Sequence, residues 1–171
     1  SDVYKRQIAN MWRIGFDIYG SWSSMIGLVD LDRDLYMYAG PGHWNDPDMM
    51  EVGNGLNDTE GRTHFSMWAI LAAPLIAGND LRSMSAQTLA ILGNRNLVTI
   101  NQDSLALQAT QVANDGTRRV LAKRLANGDV AVALFNQGSA TTTVSTTGVI
   151  SSAGMPTRSA WSRMASGLAA S

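Results

Sequence analysis

Cysteine is absent from the 171 residues. That excludes disulfides and thiolate metal sites, and it leaves the redox compartment open. Charge of one sign is absent too: 13 Lys+Arg against 14 Asp+Glu give a formal net charge of −1. A chain so balanced carries no basic footprint for nucleic acid and no charged tail. Long apolar runs are missing. None reaches the ~18 residues of a membrane span, and the most apolar stretch, Met67 to Ala77, is broken by Pro74. Gly53 and Gly55 are not followed by Gly-Lys-Ser/Thr, so no phosphate-cradling loop is expected. Ser21 and Ser66 lie outside any nucleophile-elbow pattern. His43 and His64 form neither His-x-x-x-His nor His-Glu-x-x-His, and His43 with Asp46 has no established ligand spacing. No metal and no cofactor is expected.

What is present is a globular composition, 45% hydrophobic, in two differently patterned parts. Up to about residue 107, short apolar runs alternate with helical patterns. Ile14 to Ile18 reads as a strand. Ser21 is placed to cap a helix whose Trp22, Met25, Ile26 and Val29 share one face. Leu35 to Gly40 reads as a second strand. "THFSMWAILAA" has helical length and apolar content, "PLIAGND" reads as a short buried strand, and Ser85 opens a helix that Gly93 ends. Leu97 to Ile100 is either extended or helix-flanking. Alternating strands and helices predict a parallel α/β architecture. From residue 108 the helical period is lost. Asn127-Gly128 is a hairpin signal between two β-rich runs. Val130, Val132 and Leu134 would face one way, and Ala131, Ala133 and Phe135 the other, as in a sandwich strand. Thr141 to Thr147 reads as a further strand.

In a parallel α/β fold, ligand groups gather at the carboxyl ends of strands. Asp17 follows the apolar "WRIGF", where a carboxylate costs free energy unless it is paired or lines a cleft. It could cap the following helix, or be a carboxyl with a raised pKa suited to general acid work. Arg13, four residues earlier, could form a surface ion pair or hydrogen-bond hydroxyls with its planar fork. Asp46 and Asp48 flank Pro47 and make a good turn unaided. Trp44 beside them adds an aromatic face of the kind on which sugar C–H groups pack. Asn57-Asp58-Thr59 fits a glycosylation sequon, a triplet that also arises by chance.

"GPGHWNDPDMMEVGNG", then "THFSMWAILAAPLIAGNDLRSM", then "INQD" occur in an order and spacing that resemble glycoside hydrolase family 27, the α-galactosidase or melibiase family. The resemblance runs from about Ile8 to Asp103 and continues more weakly to Trp161. It implies an α/β fold, the C-terminal part of a (β/α)8 barrel with about three βα units, followed by part of an antiparallel β-sandwich. It also implies a retaining exo-glycosidase that cuts terminal α-galactosides with two aspartates. Trp12-Arg13-Ile14-Gly15-Phe16-Asp17 matches the family's acid/base block, so the resemblance makes Asp17 the general acid/base. It likewise makes Arg13, Asp48 and Met49 substrate-binding residues, and Asn45 and Asp46 their support. The expected partner is an α-galactosyl oligosaccharide or glycoconjugate, with no nucleic acid and no membrane. Secretion is a family habit.

The departures carry equal weight. The Lys-Tyr-Asp-like nucleophile block, the strand-one aspartate pair and the strand-five specificity loop have no counterpart in this sequence. The expectation is therefore a fragment that is inactive alone. Residues 1–7, which hold no signal-peptide core, would be a non-native junction, residues 8–107 the barrel portion, and residues 108–171 a partial sandwich. α-N-acetylgalactosaminidase and β-L-arabinopyranosidase activities stay open within the family. Outside it stand a non-catalytic galactoside-binding protein on the same fold and a metal-dependent hydrolase using His43 with the aspartates.

Overall fold

The computed structural model describes residues 2–145. The order is α1 (Asp2–Ile8), β1 (Met11–Arg13), α2 (Trp22–Asp32), a 3₁₀ helix (Arg33–Tyr38), β2 (Trp44–Asp46), α3 (Asp58–Ile70), α4 (Ala86–Leu92) and α5 (Arg95–Asn101). Then follow β3 (Thr110–Asn114), β4 (Arg118–Arg124) and β5 (Val130–Asn136). β1 and β2 are parallel, with Met11 opposite Trp44 and Arg13 opposite Asp46. Parallel pairing demands a crossover, and α2 supplies it. Among the described residues no helix is long and apolar enough to cross a membrane.

Three strand expectations are corrected. The first strand is Met11–Arg13 rather than Ile14 to Ile18. Its ladder ends where the Ile14 amide donates to the Asp46 carbonyl at 3.0 Å, and beyond it Phe16 points into solvent at 94% exposure. Leu35 to Gly40 is no strand. α2 runs directly into the 3₁₀ helix, and the neighbouring Tyr36 and Met37 are both exposed. The strand lies past the Gly40–His43 turn, which is closed by reciprocal backbone bonds of 2.9 and 2.8 Å. "PLIAGND" contributes one parallel bridge, Met50 with Ala77, and its Ile76 is 45% exposed rather than buried.

The helix starts follow side-chain chemistry. The Ser21 hydroxyl caps α2, Ser85 caps α4, and Asn94 caps α5. α5 thereby settles Leu97 to Ile100 as helical. Asn57 forms a capping box with Glu60 and opens α3 earlier than its apolar pattern suggests. The amide oxygen of the sequon asparagine is thus committed to the backbone of its own helix.

β3, β4 and β5 form an antiparallel meander. The turn between β4 and β5 contains Gly128 at φ 87°, a conformation glycine adopts without Cβ strain. Ala131 and Phe135 face the main apolar cluster with Phe65, Trp68 and Leu121, whereas Leu134 points outward. Both parts of the chain therefore bury apolar surface in one core. Arg119 on β4 pairs with Asp30 on α2, and the Ala109 amide donates to the Ile70 carbonyl at 3.1 Å. Thr141 to Ser145 shows no regular structure. The rest of that expected strand, and Trp161, lie outside the described residues.

Candidate sugar-binding and proton-transfer site

β1 and β2 end side by side, and the two loops that follow them carry the candidate residues. These loops are pressed together at glycines. A Cβ on Gly20 would sit 2.1 Å from the Asn54 carbonyl oxygen, and one on Gly55 would sit 2.6 Å from the Gly20 carbonyl oxygen. Backbone in that contact cannot yield, so both positions exclude a side chain.

Asp48 is the centre of the arrangement. Its φ is 88°, a region sparsely used by non-glycine residues that costs on the order of 1–3 kcal/mol. The surroundings over-determine it. The Asp48 amide donates to Asp46 Oδ1 at 2.9 Å, and the Trp68 indole donates to the Asp48 carbonyl at 2.9 Å. The carboxylate accepts the Met49 amide at Oδ1 and the Ile18 amide at Oδ2, both at 2.8 Å. Arg13 lies 2.8 Å from Oδ2. Three donors on a carboxylate with about four acceptor directions leave one direction, on Oδ1, for a hydroxyl. The side chain is 9% exposed, so this ion pair is largely shielded from water.

The same Arg13 nitrogen reaches Asp17 Oδ1 at 3.4 Å. Asp17 is 84% exposed, so the cleft walls that general acid chemistry needs are not supplied by the described residues. The helix-capping alternative is excluded, because Ser21 caps α2. Met49, at 40% exposure, stands next to Asp48 with apolar surface open. The structure thus brings Arg13, Asp17, Asp48 and Met49 to one face. Asn45 and Asp46 lie buried behind it.

This pair of strand ends sits in a chain that matches two family models in sequence order: "Alpha galactosidase A" over residues 2–103 and "Alpha galactosidase C-terminal beta sandwich domain" over residues 115–168. The chain belongs to glycoside hydrolase family 27. Alpha-galactosidase A of Cellvibrio japonicus is 46% identical over 145 residues, covering 78% of this chain and 36% of the relative. The alpha-galactosidase of Oryza sativa subsp. japonica is 43% identical over 160 residues, covering 91% and 38%. Alpha-galactosidase I from Mortierella vinacea superposes with a TM-score of 0.72 at 31% identity, covering 80% of this chain and 40% of that one. The chain thus spans a little over a third of the length of the curated relatives it matches. Its fold is the C-terminal part of the family's (β/α)8 barrel followed by part of its antiparallel sandwich.

Several residues of this candidate site were silent in the sequence. Trp68 reads as core filling, and it is fully buried, yet its indole N–H also holds the Asp48 carbonyl. The Ile18 amide carries no side-chain signal at all. Glu51 is buried, and its carboxyl is raised above the usual range by desolvation, against the Asn54 hydrogen bond and with the Asp48 charge adding.

His64 is fully buried on α3, stacked on Trp68 with ring centroids 4.0 Å apart. Its Nε2 accepts the Glu51 amide at 3.1 Å, which places the ring proton on Nδ1. Burial lowers its pKa to about 3, so it stays neutral and fixes the backbone just past Met50. The unfolded chain takes up a proton near pH 6.5 that the folded chain refuses until about pH 3. Stability is therefore lost as pH falls through that window, by about 2 kcal/mol between pH 7 and pH 5. Glu51, raised on folding, works in the opposite sense, so comparison with a His64 variant isolates the histidine. Urea unfolding of the full-length protein and of His64→Gln at pH 7 and pH 5 should give a smaller pH dependence in the variant.

Proposed function

We propose that this chain is part of a retaining exo-glycosidase that hydrolyses terminal α-galactosides by double displacement, with Asp17 as general acid/base. The observation that carries this reading is Arg13 bridging Asp17 and Asp48 at the ends of two adjacent parallel strands. The bridge sets a solvent-reachable carboxyl beside a rigid, charge-paired acceptor. Asp48 and Arg13 would hold sugar hydroxyls, and Met49 would pack on the ring. Asp17 would protonate the leaving oxygen and then deprotonate the water that releases the sugar. The nucleophile would come from a part of the protein that this sequence does not contain. In retaining chemistry the two carboxyls lie about 5–5.5 Å apart, so the second would approach Asp17 across the open side of β1. A division between barrel and sandwich at residues 107 and 108 belongs to the same proposal.

The full-length protein, incubated with an aryl α-galactoside and followed by NMR, should release α-galactose first, with the β anomer growing in only by mutarotation. Release of the β anomer first would overturn the retaining mechanism. Absence of turnover together with galactose binding by calorimetry would favour the non-catalytic galactoside-binding reading.

A further inference from the structure

Gln108 lies in the segment joining α5 to β3, far in sequence from the strand-end loops. Its side chain is nonetheless buried and bonded at both ends. Gln108 Oε1 accepts from Asn45 Nδ2 at 2.9 Å, and Gln108 Nε2 donates to the Asp32 carbonyl at 2.5 Å. Asn45 Nδ2 also donates to the Leu35 carbonyl at 3.0 Å. One glutamine amide thus clamps the central residue of β2 to the end of α2.

That residue is one step from the site. Asn45 is 2% exposed and lies opposite Trp12 in the β1–β2 ladder. Asp46 follows it and holds the Asp48 amide through Oδ1. β2 is only three residues long, so its ladder gives little resistance to a shift along or across the strand. The Asn45 amide is the side-chain bond that anchors its middle. A shift there moves Asp46 and then Asp48, whose positive φ and three carboxylate bonds tolerate little displacement. The Ala109 amide, bonded to Ile70 at the end of α3, pins the residue next to Gln108, so the clamp is itself fixed to the barrel portion. Asn45 Oδ1 is buried without a hydrogen-bond partner among the described residues. Removing Gln108 takes a partner from the Asn45 amide and from the Asp32 carbonyl, and buried polar groups are costly to leave unpaired.

We propose that Gln108 is a positioning residue for sugar binding: it sets Asp48 through Asn45 and Asp46, and so makes the entry to the sandwich a structural determinant of the galactoside site. The inference rests on Asp48 gripping the sugar as proposed above. Gln108 touches no substrate.

The test uses the full-length protein and Gln108→Met, which keeps the shape and length of the side chain and removes both hydrogen bonds. A displaced sugar-gripping group weakens binding equally in ground and transition state, so KM should rise about ten- to hundredfold with kcat changed less than about threefold. Val120→Ala, a core truncation in β4, provides the stability control; it should lower Tm with KM unchanged. In Gln108→Met, hydrogen exchange followed by mass spectrometry should show the Asp48–Met49 amides exchanging about tenfold faster, with α4 unaffected. Equal KM in wild type and Gln108→Met with unchanged exchange at Asp48 and Met49 would overturn the proposal, as would a KM rise in Val120→Ala matching that in Gln108→Met. If Gln108→Met does not fold, native-state exchange of the unaltered protein in rising urea decides. The Asp48 and Ala109 amides should then open together, and separate openings would refute the coupling. If the unaltered protein turns over no galactoside, the functional reading fails, while the exchange measurement still decides the role of Gln108.

Discussion

Asp17→Asn in the full-length protein should abolish cleavage of galactosides with poor leaving groups and spare activated aryl galactosides in the first step. A sugar alkoxide leaves slowly unless it is protonated as the bond breaks, and a positioned acid is worth about 10²–10⁴-fold. An activated phenolate leaves unaided, so the loss on such substrates should be far smaller and should fall on the second step, where the same carboxylate would activate water. The amide cannot accept that proton, so a glycosyl-enzyme should accumulate, visible as a burst of phenol. Asp17 suits the substitution because it touches little else. Its ion pair with Arg13 is long and exposed, and such pairs contribute about 0–1 kcal/mol. Binding and folding should therefore survive. Equal losses on both substrate classes, with Tm and galactose affinity intact, would remove Asp17 from the acid/base role.

The second large effect concerns the 171-residue chain by itself, which should show no turnover of an aryl α-galactoside. Double displacement needs two carboxyls facing one anomeric carbon, and loss of a nucleophile costs up to about 10⁶-fold in enzymes where it has been removed. None of the described acids close to Asp17 can substitute. Asp48 is held by Arg13 and two backbone amides, so attack would require breaking that set. Asp46 is buried and bonded to the Asp48 amide, and Glu51 is buried and bonded to Asn54. Purified chain assayed against the full-length protein at equal concentration gives the answer. Measurable turnover by the purified chain would show that the site is complete without the missing block.

Much of the candidate site is legible in the sequence because its signals are local. Trp12 to Asp17 and Trp44 to Met49 are contiguous blocks, and the spacing between strand end and carboxylate is a property of the chain alone. The helix starts at Ser21 and Ser85, the stop at Gly93 and the turn at Gly128 are equally local, since each depends on one side chain meeting backbone within a few residues. The errors have a shared cause. Ile14 to Ile18 and Leu35 to Gly40 are apolar enough to be strands, but strand identity is decided by a hydrogen-bonding partner. Here the partners are Met11 with Trp44 and Arg13 with Asp46, across an intervening helix.

What the sequence by itself determined was the family, the alternation of strands and helices and the contiguous blocks that carry the candidate residues, because short-range pattern and spacing encode these. Tertiary structure alone decided that Asp48 would be strained and triply bonded, that one Arg13 nitrogen would face both Asp17 and Asp48, that His64 would be neutral, and that Gln108 would clamp β2 from 63 residues away. Each of these depends on desolvation and hydrogen-bond geometry between segments that only folding brings together, and neither leaves a mark on composition or period.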